Sequence, residues 1–106
     1  MPGQRFDMNQ LMRQAQEMQA QMARAQEQLA NETVEASAGG GLVTVRATGT
    51  GVIQEIKIDP KAIDPDDPGL LEDTVLAAVN EALRAAQALM ESKLGGQLGG
   101  LGLPGL

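Results

Sequence analysis

The stretch "ASAGGGLVTVRATGTG", Ala36 to Gly51, decides the fold. At its centre Val43, Val45 and Ala47 alternate with Thr44, Arg46 and Thr48, a period of two that puts one set of side chains on each face of a sheet. Glycines stand on both sides, Gly39 to Gly41 before the run and Gly49 and Gly51 after it, where the chain has to turn. The alternation resumes beyond these turns. "TVEASA" places Val34, Ala36 and Ala38 on one face, and "VIQEIKI" places Val52, Ile56 and Ile58 on one side. Connections this short predict a three-stranded antiparallel meander. A hairpin needs one or two glycines for positive φ, so the third of Gly39, Gly40 and Gly41 is expected to leave room for the backbone of a partner subunit.

One apolar sheet face needs a covering helix, and the sequence offers one on each side. "FDMNQLMRQAQEMQAQMARAQEQLANE" opens with Asp7 as N-cap and Gln10 three residues on, with Phe6 and Leu11 at the staple positions. Met8, Leu11, Ala15, Met18, Met22, Ala25 and Leu29 then recur at alternating spacings of 3 and 4, an unbroken heptad seam. A helix of about 24 residues is about 36 Å long, more than the roughly 33 Å across a 100-residue globule. It should protrude or meet another chain. After the strands comes "DPKAIDPDDPG", a loop with one helical turn after Asp59. A second helix begins at Asp67 or Pro68 with an apolar stripe of Leu71, Val75, Leu76, Val79, Leu83, Ala86 and Met90, and Gly95 and Gly96 are expected to end it. The fold class is therefore α+β: a long N-terminal helix, the meander and a C-terminal helix, dimerising through sheet and helices. The domain is expected to span residues 1–94, with 95–106 a flexible Gly/Leu-rich tail.

Composition narrows the function. The 106 residues hold one Phe, no Trp, no Tyr, no Cys and no His. A core of Leu, Ile, Val, Ala and Met alone buries less area per side chain than one with aromatics, and a monomer would be thinly stabilised. Without His or Cys the commonest base, metal ligand and nucleophile are missing, and the hydroxyls have nothing to activate them. No enzyme activity and no cofactor are expected. The lack of cysteine and of a charged-then-apolar leader points to the cytoplasm, with no membrane association. Of the net charge of −6, five units sit in residues 59–73, where Asp59, Asp64, Asp66, Asp67, Glu72 and Asp73 face Lys61. An EF-hand register starting at Asp64 fails because Pro68 and Val75 occupy positions five and twelve, so these acids are read as helix caps and no metal is expected.

The strings "AGGGLVTV", "GTGVIQEIKIDP" and "LLEDTVLAAVNEA", in this order after a Gln- and Met-rich helix, resemble the YbaB/EbfC family of bacterial nucleoid-associated proteins over about residues 7–94. The resemblance implies a homodimer that binds double-stranded DNA in the nucleoid and influences DNA conformation and gene expression. It implies no small-molecule substrate. A sequence pI near 4.4 argues mildly the other way, since nucleic acid normally selects a basic face.

If duplex DNA is bound, the contact must be made by bases held away from the acidic connector. Arg5, just ahead of the first helix, and Arg13 and Arg24 on it are those bases, and Arg13 and Arg24, eleven residues apart, project within about 20° of each other opposite the methionine seam. Gln10, Gln14 and Gln21 accompany them as amide donors and acceptors, as do Asn9, Gln16 and Gln28. Arg46 and Lys57 are read instead as cross-strand partners of Glu35 and Glu55. Gly39, Gly40, Gly41, Met18 and Met22 are the expected dimer contacts. The competing reading is an acidic, coiled-coil-armed protein-interaction module with no direct DNA binding.

Overall fold

A computed structural model describes residues 7–99. Five elements follow one another: α1 (Met8–Asn31), β1 (Thr33–Ala38), β2 (Val43–Thr48), β3 (Ile53–Ile58) and α2 (Pro68–Gly99), with a single 3₁₀ turn at Pro60–Ala62. The sheet order is β1-β2-β3 and both pairings are antiparallel, so the meander and the α+β class hold.

Asp7 caps α1 as its sequence position demands, its carboxylate accepting from the amides of Asn9 at 3.1 Å and Gln10 at 3.3 Å. Phe6, its expected staple partner, lies outside the described residues. At the other end of α1 the amide of Gly49 donates to the carbonyls of Leu29 at 2.9 Å and Glu32 at 3.0 Å, satisfying two acceptors that the helix end leaves open. The β2–β3 turn thus caps α1.

In the β1–β2 hairpin Ala38 pairs with Val43, and the loop between them holds Gly39, Gly40 and Gly41 at φ +66°, +69° and +90°. All three occupy the left-handed region, where a Cβ is strained. The expectation that the third glycine is spare for the hairpin is corrected: the loop's own backbone uses every one. A second correction concerns β3. Arg46 pairs with Glu55 but Ala47 pairs with Ile53, leaving Gln54 as the extra residue of a bulge. The bulge turns Ile53, rather than Val52, onto the face of Ile56 and Ile58. Val52 is accordingly 58% exposed, while Ile53 packs against the core.

The core is where α2 crosses the sheet. Val43, Val45 and Ala47 of β2 meet Ala78 and Ala82 of α2, all fully buried, with Val34, Ala36, Ala38, Leu71, Val75 and Val79 around them. The innermost row of α2 is Ala78, Ala82 and Ala86, whose small side chains let helix and sheet approach closely, so Leu76 and Leu83 of the expected stripe stay exposed. α2 lies over β1 and β2. Ile56 and Ile58 on β3 point to the same side and remain 44% and 39% exposed.

α2 also runs through Gly95 and Gly96 to Gly99 instead of ending there. Each glycine costs about 1 kcal/mol relative to alanine in a helix interior. Extending a helix of this length needs no new nucleus, so two glycines alone do not stop it. The rest of the expected tail lies outside the described residues.

Candidate nucleic-acid interface

α1 covers little of the sheet. Only Ala25 and Leu29 of its seam are buried, whereas Met8, Leu11, Met18 and Met22 are exposed, as is Met12 beside them. The Cα radius of gyration is 21.3 Å, against about 13 Å for a compact 100-residue chain. The expected protruding arm is present.

Arg13 and Arg24 stand exposed on this arm, and neither makes an ion pair among the described residues. Gln10, Gln14 and Gln21 are exposed along the same helix. Arg5 lies outside the described residues. Other cations are engaged. On the outward face of the sheet Arg46 reaches Glu55 at 3.2 Å and Glu35 at 3.7 Å, and Lys57 reaches Glu55 at 3.7 Å, the cross-strand pairing expected of them. Arg84 pairs with Glu81 on α2, and Lys93 of α2 pairs with Glu32 at the end of α1. Lys61 is the third described cation without a carboxylate partner, and it sits within the acidic connector.

Three of the connector's six acids accept from the backbone. Asp59 accepts from the amide of Lys61 at 2.9 Å, Asp64 from that of Asp66 at 3.0 Å, and Asp67 from that of Leu70 at 3.2 Å at the start of α2. Asp59 caps the 3₁₀ turn and Asp67 caps α2, the role expected of the acids, while Asp64 closes a turn between them. Among the described residues no three carboxylates converge as metal ligands would.

Sequence reasoning brought Arg13, Arg24 and the glutamines together on one helix, and the structure keeps them there. It placed Gly49 in a turn but missed its contact with the end of α1, which lies far from it in the sequence and carries no local signal. Among the described residues no helix is long and apolar enough to cross a membrane.

Comparison with known proteins agrees with this architecture. The chain is 53% identical to a nucleoid-associated protein of Saccharopolyspora erythraea over 114 aligned positions, covering 99% of this chain and 98% of the relative. It is 54% identical to a nucleoid-associated protein of Acetivibrio thermocellus, covering 99% and 94%. The crystal structure of an uncharacterized protein from Helicobacter pylori superposes with a TM-score of 0.77 at 20% identity, covering 89% of this chain and 99% of that one, which supports the fold. Residues 4–101 match the model of the YbaB/EbfC DNA-binding family. With the helix–meander–helix order, the exposed arm and these relatives in agreement, the chain belongs to the YbaB/EbfC DNA-binding family.

Proposed function

We propose that this protein binds duplex DNA as a homodimer in the nucleoid, making its contacts with α1. One observation carries the choice of α1: among the described residues Arg13 and Arg24 are without carboxylate partners, while Arg46, Lys57, Arg84 and Lys93 are paired. An unpaired guanidinium can take a phosphate without first losing an ion pair. Arg5, Gln10, Gln14 and Gln21 join them as contacts to phosphates or base edges. Few cations per subunit mean a modest affinity and a shallow dependence on salt. Without Tyr or Trp to stack on single strands, duplex is the preferred form. Changes in DNA conformation and in gene expression follow from such binding, and no catalytic step is part of it.

The homodimer is supported by the apolar surface one chain leaves open. Ile56 and Ile58 on β3, Leu76 and Leu83 on α2, and Met18 and Met22 on α1 are all exposed. A small domain seldom exposes so much apolar area without a partner. Gly40 and Gly41 have open space where a Cβ would stand, so the β1–β2 loop, with Gly39, offers backbone that a second chain can approach.

The exposed methionine seam also favours the second reading, an arm that grips other proteins, because thioethers pack adaptably. Retardation of duplex DNA by the purified protein, weakening as salt rises, supports the first reading. A protein that leaves duplex DNA unretarded at low salt and micromolar concentration sinks it.

A further inference from the structure

The exposed seam of α1 ends at Met22, because Ala25 and Leu29 turn under their own chain. Its free apolar residues are Met8, Leu11, Ala15, Met18 and Met22. In heptad terms Met8, Ala15 and Met22 take the a positions and Leu11 and Met18 the d positions. The residues flanking a seam select its partner by charge, and here the flanks are neutral. Gln14, Gln21 and Gln28 occupy the g positions, and Met12, Gln19 and Gln26 the e positions. A flank without charge gives nothing to a charged partner helix and imposes no like-charge repulsion on an identical one. The partner that fits is a second copy.

Direction follows from volume. In a parallel pair each residue meets itself, so Ala15 faces Ala15 between layers of Leu11 and Met18, and the small layer leaves a void. In an antiparallel pair a positions meet d positions. Setting Leu11 against Met22 then sets Ala15 against Met18, a small residue against a large one, and the two-fold axis repeats both layers. The overlap of residues 11–22 is about 18 Å long, and it stops where Ala25 is covered by its own chain.

We propose that the free part of the α1 seam pairs antiparallel with the same stretch of a second copy, Leu11 against Met22 and Ala15 against Met18. The pairing rests on the reading of α1 as a DNA contact for its functional consequence. A two-fold axis perpendicular to both helices keeps each flank on its own side, so Gln10, Gln14, Gln21 and Arg24 of both chains share one side. A parallel pair would divide them between opposite sides. Glu17 of each chain lies on that same side near the axis, and the two Arg24 guanidiniums stand at its ends, about 22 Å apart along the helices. Arg13 projects within about 20° of Arg24, and in this register it stands about 6 Å along the axis from Arg24 of the other chain, so the surface offers two separated pairs of cations joined by amides, not a continuous basic strip. Three turns of seam are marginal on their own, so the pairing operates between copies that a dimer contact or neighbouring DNA sites already hold close.

The chain has no cysteine, so introduced thiols report only each other. Leu11→Cys and Met22→Cys are prepared separately, shown by circular dichroism to keep their helix, and oxidised mildly alone and mixed, with and without duplex DNA. Antiparallel pairing gives a disulfide-linked species in the mixture, several-fold above either variant alone. Equal cross-linking of each variant with itself means a parallel pair and overturns the proposal. So does the absence of any cross-link under all conditions. Retardation of DNA by the unaltered chain is measured separately, so the DNA reading can fail while the pairing stands, and the reverse.

Discussion

Gly49 sits against the end of α1 so closely that its amide donates to the Leu29 carbonyl at 2.9 Å, and a Cβ on it would stand 2.8 Å from that same oxygen. The Leu29 side chain closes the other side, with Cδ2 2.9 Å from the same point. Here the turn between β2 and β3, the C-terminus of α1 and the base of the arm meet. The arm's direction relative to the sheet depends on this contact, because beyond Ala25 and Leu29 no residue of α1 is buried.

Gly49→Ala should therefore destabilise the protein. The methyl group must push the helix end away or lose the shared hydrogen bond, and overpacking of this kind costs about 1–3 kcal/mol. For a domain of this size each kcal/mol lowers the melting temperature by roughly 4–8 °C. A thermal melt followed at 222 nm checks it, and an unchanged midpoint would mean that the turn relaxes without cost.

The parts legible in the sequence were those with a clean period. Val34, Ala36 and Ala38, and then Val43, Val45 and Ala47, alternate without interruption, and the structure faces both sets to α2. β3 was misread because a bulge at Gln54 breaks the alternation, and no propensity marks which residue of a strand will be skipped. The stripe of α2 was misplaced for another reason: hydrophobic weight favoured Leu76 and Leu83, whereas close packing on a sheet favoured Ala78 and Ala82. On α1 the seam and the arginine line were readable, since both are properties of one helix. That Arg13 would lack a carboxylate partner was not, because Glu17 stands one turn away at the spacing of an intrahelical pair.

The glycine triplet separates two effects. Gly40 has φ +69° and open space around it, and asparagine tolerates that conformation, so Gly40→Asn should leave the melting temperature within about 2 °C. Gly39 has nearly the same φ, but a Cβ there would lie 2.8 Å from Thr74 Cγ2. Thr74 cannot rotate away freely because its hydroxyl donates to the Leu70 carbonyl at 2.7 Å. Gly39→Asn should cost about 1–3 kcal/mol, and equal melting temperatures for the two variants would show that Thr74 yields.

For DNA binding, the double variant Arg13→Ala with Arg24→Ala removes the two described arm cations. It should weaken duplex binding by about tenfold or more and flatten the salt dependence, as loss of phosphate contacts does. The control is Arg46→Ala with Lys57→Ala, whose cations are held by Glu35 and Glu55 and should matter little, within about threefold. Gel shifts on both, after sedimentation has shown that assembly is intact, decide the assignment. Equal losses would move the contact onto the sheet.

The remaining apolar surface bears on assembly. Leu76 is 59% exposed and Ile56 44% exposed in the single chain, Leu76 on the helix and Ile56 on the strand that this helix leaves uncovered. If both stayed in water, Leu76→Glu and Ile56→Lys would change stability by no more than about 0.5 kcal/mol, as surface substitutions do. In a homodimer that covers this face, each instead places a charge in an apolar contact, which the assembly avoids by coming apart. Sedimentation at micromolar concentration should show the unaltered chain as a dimer and each variant shifted toward monomer, with at least a tenfold weaker association. The two variants mixed should recover part of the lost association if helix and strand face each other across the contact, because a Glu on one copy then meets a Lys on the other. A dimer unaffected by either variant would place the contact elsewhere, at the β1–β2 loop or along α1.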